Sequence, residues 1–198
     1  MAHPLDLIVG PRRPIGIGVT PDEFRANFLP KPDASVLRVF GENPRNASGD
    51  WYEDHVDRML EPICARLNVR KLPKRERRLS GSLVYRTDKV VDVVLRKDSD
   101  AEPDRHTLGL ELKFLGGTGS LVSPKSLVDA LDFTNRPYHC LYMIDGEGWL
   151  GGGRTPSVEF LSHWWEFTCS AYVERSLTRY FGRASDHPIP ESREPAVR

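Results

Sequence analysis

A chain of 198 residues, 39% hydrophobic and 28% charged, has the length and balance of one globular domain with a real core. Its 28 basic and 28 acidic side chains cancel, which excludes a global field as the source of any affinity for nucleic acid and requires a local patch instead. Cys64, Cys140 and Cys169 are odd in number and far apart in apolar contexts, so they read as buried thiols of a reducing compartment, neither a disulfide framework nor a zinc site.

The opening MAHPLDLIVG has no charged start, long apolar run or cleavage site. No window approaches the roughly 18 apolar residues of a membrane helix. The expectation is a cytosolic protein without a membrane partner.

Residues 1–49 are rich in proline and glycine and read as an arm packed on the main domain or on a second subunit. Within it the spacing predicts a helix over TPDEFRANF, capped by Thr20 with Pro21 at its first position. A strand is predicted over SVLRVF, residues 35–40. GDWYEDHVDRML begins a second helix with Asp50 as its cap, Trp51, Val56, Met59, Leu60 and Ile63 near one face, and Pro62 as a kink or restart. Glu53, Asp57 and Glu61 form an acidic stripe on it, for which a solvated face is the plain reading.

VRKLPKRERR follows, with six basic residues and one acid. Arg70, Lys71, Lys74, Arg75, Arg77 and Arg78 are either a solvated loop or a phosphate-gripping segment. SLVY then leads through RTDK into a three-stranded meander.

Residues 90–114 are the most informative stretch. VVDVVLRK and LGLELKF read as two short strands separated by a polar loop of ten residues, 98–107. A period of two puts Glu111 and Lys113 on one face of the second strand, with Leu108, Leu110, Leu112 and Phe114 on the other. Asp92 lies inside a β-branched run, where a carboxylate must be hydrogen-bonded, paired or metal-bound because burying it alone is expensive. A hairpin brings Asp92, Glu111 and Lys113 together. Two carboxylates and an ammonium can hold a divalent cation and manage a water beside it.

The combination of Asp92 with Glu111-Leu112-Lys113 inside an apolar strand resembles the PD-(D/E)XK nuclease superfamily, and more closely the type II restriction endonucleases within it. Val91 stands where the family name has proline. The resemblance spans the triad and, more loosely, residues 50–150. It implies an α/β fold with a mixed central β-sheet flanked by helices, in the order helix, three strands, helix, strand. It also implies Mg²⁺ held by Asp92, Glu111 and the Leu112 carbonyl, with Glu53 from the preceding helix as an auxiliary ligand, and Lys113 acting on the attacking water. The implied reaction is in-line hydrolysis of a DNA phosphodiester leaving 5′-phosphate and 3′-hydroxyl ends. The implied partners are double-stranded DNA and a second copy of the chain in a homodimer, in the cytosol of a prokaryote. Alternatives are a junction resolvase, a repair or phage-defence nuclease, a non-catalytic DNA-binding module, or an ordinary α/β domain in which Glu111 and Lys113 are a surface ion pair.

Beyond Phe114, Gly116, Gly117 and Gly119 lack the Gly-Lys-Ser/Thr ending of a nucleotide-binding loop, so no nucleotide cofactor is expected. A helix capped by Ser123 runs to Phe133, and YHCLYMID is a buried apolar strand, giving a βαβ unit with right-handed parallel pairing. DGEGWLGGG is a glycine-rich loop whose Asp145 and Glu147 suit turn chemistry. Residues 156–181 read as one amphipathic helix or two, with an aromatic stripe for core or dimer contact and Trp164 or Trp165 as a minor base-stacking option. The domain expected over 50–182 is followed by a disordered tail, 183–198.

Overall fold

The computed structural model describes residues 16–72, 92–97, 107–117, 139–151, 157–164 and 166–183. They form a mixed five-stranded sheet with helices on both faces, an α/β arrangement. The strands are β1 (Arg70–Lys71), β2 (Val93–Arg96), β3 (Thr107–Phe114), β4 (His139–Asp145) and β5 (Phe167–Thr168), in that spatial order. β1, β2 and β3 pair antiparallel, whereas β4 lies parallel to β3 and β5 parallel to β4. Parallel pairing of β3 and β4 is what the buried run before Asp145 predicts. The helix expected over 123–133, the SLVY strand, the 98–106 loop and the 184–198 tail lie outside the described residues.

Alternation along the strands divides the core into two layers. Leu110 and Leu112 of β3, Val93 and Leu95 of β2, and Leu141 and Met143 of β4 pack against Val56 and Leu60 of helix α3 (Pro44–Leu67) and Leu177 of helix α5 (Val173–Arg183). Tyr142 and Ile144 of β4 pack on the opposite side with Phe24 of helix α1 (Pro21–Asn27) and Leu161 of helix α4 (Val158–Trp164). Full burial of each such side chain contributes about 1.5–3 kcal/mol.

α1 starts where its sequence directs. Thr20 caps it in a reciprocal capping box with Glu23, and Pro21 occupies the first turn. SVLRVF, by contrast, is helical, comprising α2 (Ala34–Leu37) and a 3₁₀ turn (Arg38–Phe40). Its β-branched residues favour a strand locally, but the helical course buries Leu37 in the core and outweighs that preference.

α3 begins at Pro44, six residues before the cap predicted at Asp50, and continues unbroken through Pro62. The 49/50 boundary drawn on the sequence therefore falls inside a helix, while Ile17, Val19 and Phe24 of the first segment are core residues. α3 ends at Asn68, whose φ of 52° is the left-handed conformation that asparagine tolerates. The Val69 N–H then returns to the Cys64 carbonyl at 2.9 Å.

The 156–181 segment holds a strand between two helices. The two-helix alternative holds, with β5 and a 3₁₀ turn (Ser170–Tyr172) separating α4 from α5. No described helix is long and apolar enough to cross a membrane.

Candidate active site

β2 and β3 pair from Arg96↔Thr107 to Val93↔Leu110, and the described ladder stops there. Asp92 sits one residue before β2 and not inside the strand. Leu112 lies two residues past the last pair, and its N–H donates to Asp92 Oδ2 at 2.8 Å. A carboxylate thus takes the place of a backbone carbonyl where the two strands part.

Glu111 and Lys113 project from the next positions of β3, in register with Tyr142 and Ile144 of β4. Leu108 through Leu112 are buried on both faces of the sheet, and Glu111 is only 4% exposed. Such burial requires compensation. Lys113 Nζ supplies it, lying 3.2 Å from Glu111 Oε1 and 4.0 Å from Asp92 Oδ2. The three residues expected to converge do so.

Glu53 is exposed on α3 and lines an open cleft of about 320 Å³. Its other lining residues are Asp50, Asp54, Asp57, Asp92, Val93 and Leu112. Glu111 and Lys113 are not part of that lining, so Asp92 is the link between the acidic cleft and the triad. Among the described residues, no three His, Cys, Asp or Glu side chains gather closely enough to form a metal cage. The donor set nevertheless suits Mg²⁺, which prefers oxygen, keeps several of its waters and needs few protein ligands.

The expected basic segment divides. Arg70 is exposed in β1 opposite Arg96, whereas Lys71 is turned to Asp57 of α3 in an ion pair. Lys74, Arg75, Arg77 and Arg78 lie outside the described residues.

Turn chemistry, the sequence reading for Asp145, understates a carboxylate that accepts four hydrogen bonds. Asp145, fully buried at the end of β4, accepts the Leu29 N–H at 2.6 Å on Oδ1. Its Oδ2 accepts the Ser170 N–H at 2.8 Å, the Ser170 hydroxyl at 2.6 Å and the Tyr52 hydroxyl at 3.3 Å. Burial, together with the Asp145 charge, raises the Tyr52 phenol well above its ordinary pKa. On the next turn of α3, His55 stacks on Trp51 with ring centroids 5.6 Å apart, and burial lowers its pKa. An acid closing an apolar strand was the available signal for Asp145, since a carboxylate there must find partners just as Asp92 within its β-branched run must.

The glycine-rich loop after β4 packs against the end of β3. Gly146 has φ +98°, and a Cβ there would stand 2.2 Å from the Leu115 carbonyl oxygen. Only glycine fits that approach. No family model, curated protein or solved structure matches this chain.

Proposed function

We propose that this chain is a Mg²⁺-dependent DNA endonuclease of the PD-(D/E)XK type, acting as a homodimeric type II restriction endonuclease on a specific duplex sequence. The observation that carries the reading is the convergence of Asp92, Glu111 and Lys113 at the point where β2 and β3 separate. The order of elements supports it, with a long helix, three antiparallel strands and then a strand parallel to the third, as in a restriction-endonuclease-like core.

Asp92, Glu111 and the Leu112 carbonyl would hold the ion, with Glu53 reaching from the cleft wall. When bound there, Mg²⁺ would supply neutralisation of phosphate charge and acidification of a water. The Lys113 ammonium lies beside the buried Glu111 carboxyl group and offsets the cost of placing it there. The Lys113 side chain is 35% exposed, so its ammonium can hydrogen-bond a water and face the charge that builds on the phosphate. The Asp92–Leu112 hydrogen bond fixes the first carboxylate relative to the strand carrying the other two groups.

The test is incubation of unmethylated plasmid and phage DNA with the protein in Mg²⁺, alongside EDTA and Lys113→Ala. Discrete fragments lost in both controls, with at least about a hundredfold slower cutting by the variant, are the expected result. Intact DNA, or cutting indifferent to both controls, sinks the proposal. DNA binding without cutting would instead indicate a non-catalytic binding module.

A further inference from the structure

Lys71 belongs to the basic run that reads as a phosphate grip, yet its ammonium is directed inward to Asp57 Oδ1. Asp57 is one of five carboxylates among the seven residues lining the cleft. Besides Lys113, which reaches Asp92, two cations touch these carboxylates on α3 among the described ion pairs. Arg58 reaches Asp54 from the same helix with its side chain 69% exposed, the geometry of an ordinary surface pair. Lys71 comes from a different element and its side chain is 28% exposed.

Its backbone is also held. Lys71 stands opposite Leu95, Arg70 opposite Arg96, and the Leu72 N–H donates to the Val94 carbonyl at 2.9 Å. The sheet therefore carries this ammonium to α3 from a separate element, where Arg58 reaches Asp54 along its own helix.

The geometry points to Lys71 as an internal counter-ion of the cleft, a positioning residue that acts through Asp57 to set how tightly the site holds a divalent cation, and not as a phosphate contact. This rests on the nuclease reading above. An ammonium beside the cleft opposes entry of a second positive charge by ordinary Coulomb repulsion, an effect largest at low ionic strength. It also keeps Asp57 engaged, so the carboxylates of α3 do not act on the cation as a single uncompensated cluster. Gripping DNA with Lys71 would require breaking the pair with Asp57.

The test titrates Mn²⁺ alone into the full chain by electron paramagnetic resonance at low salt, for the native protein and for Lys71→Met, Lys71→Arg and Lys71→Met/Asp57→Asn. Thermal unfolding of each variant checks that it is folded. Lys71→Met is expected to bind Mn²⁺ about threefold more tightly or better, Lys71→Arg to match the native affinity, and the double variant to return toward it because a charge of each sign is then gone. Oligonucleotide binding without metal should keep its salt dependence in Lys71→Met, whereas loss of a phosphate contact lowers the slope by about one. Unchanged or weaker Mn²⁺ binding by folded Lys71→Met, or a reduced salt slope, overturns the counter-ion role while leaving the nuclease reading standing. Failure of the native chain to bind Mn²⁺ overturns both.

Discussion

Replacing Asp145 by alanine should bring the domain close to unfolding. Its carboxylate accepts four hydrogen bonds, three of them between 2.6 and 2.8 Å, from Leu29, Ser170 and Tyr52. Hydrogen bonds to a charged group are worth roughly 1.5–3 kcal/mol each, and stranded buried donors add a desolvation penalty. The contributions are not additive, since water can enter the space left and Tyr52 at 3.3 Å is the weakest donor. A net loss of about 4 kcal/mol follows, a large part of the roughly 5–15 kcal/mol that holds a domain folded. Ser170→Ala removes one hydroxyl donor and keeps the acceptor, so about 1–1.5 kcal/mol is expected. Urea unfolding followed by tryptophan fluorescence, with matched slopes, measures both. If Asp145→Ala loses less than about 1 kcal/mol, or no more than Ser170→Ala, the carboxylate does not tie these segments together and the reasoning fails.

Alkaline destabilisation should begin near pH 9–10, because burial raises Tyr52 and Tyr180 above the ordinary 10.0 and pushes Cys169 from 9.0 to about 12. The folded chain keeps these protons longer than the unfolded chain, so their stabilisation is complete below the unfolded values and is lost as pH rises past them. Urea midpoints at about pH 8 and about pH 10.5 should differ, with a smaller difference in Tyr52→Phe. On the acid side, bonding to Arg175 and the Thr20 N–H lowers Glu23 from 4.5 to about 2. That contribution is present above pH 4.5 and fades as pH falls toward 2. With both side chains 33% exposed, solvent screening reduces it to about 1 kcal/mol, and Glu23→Gln should flatten stability between pH 5 and 2.5 by that amount. Gly146→Ala should lose about 3 kcal/mol or more by thermal unfolding, because it combines φ +98° with a collision against the Leu115 carbonyl, and a neutral result would refute the close packing of that loop.

The elements legible in the sequence were those whose side-chain pattern and local chemistry agree. Alternation over β3, the apolar run of β4 and the capping box of α1 each specify one structure through nearest neighbours. Asp92, Glu111 and Lys113 were visible because charge interrupts those patterns. β5 was hidden because two residues have no period, and its identity depends on pairing with Tyr142 and Met143 far away in sequence. The start of α3 was hidden because Asn46, Ser48 and Gly49 have poor helix propensity, and packing against the 3₁₀ turn of 38–40 outweighs it. Charge alone left Lys71 as either part of a solvated loop or a phosphate contact, and could not show the ion pair it makes. Its partner Asp57 is fourteen residues earlier, and only the fold brings them together.

The segment 16–19 gives the sheet a border. Ile17 N–H reaches both oxygens of Glu166, the Val19 N–H donates to the Phe167 carbonyl at 2.9 Å, and a Cβ on Gly18 would fall 2.4 Å from that oxygen. The outer rim of β5 is therefore sealed by the chain's own early residues, which deny other molecules a template for strand addition. Trimming away the residues before α3 would open that rim. A fragment beginning at residue 44 should form larger assemblies than the full chain at equal concentration, as read by analytical ultracentrifugation.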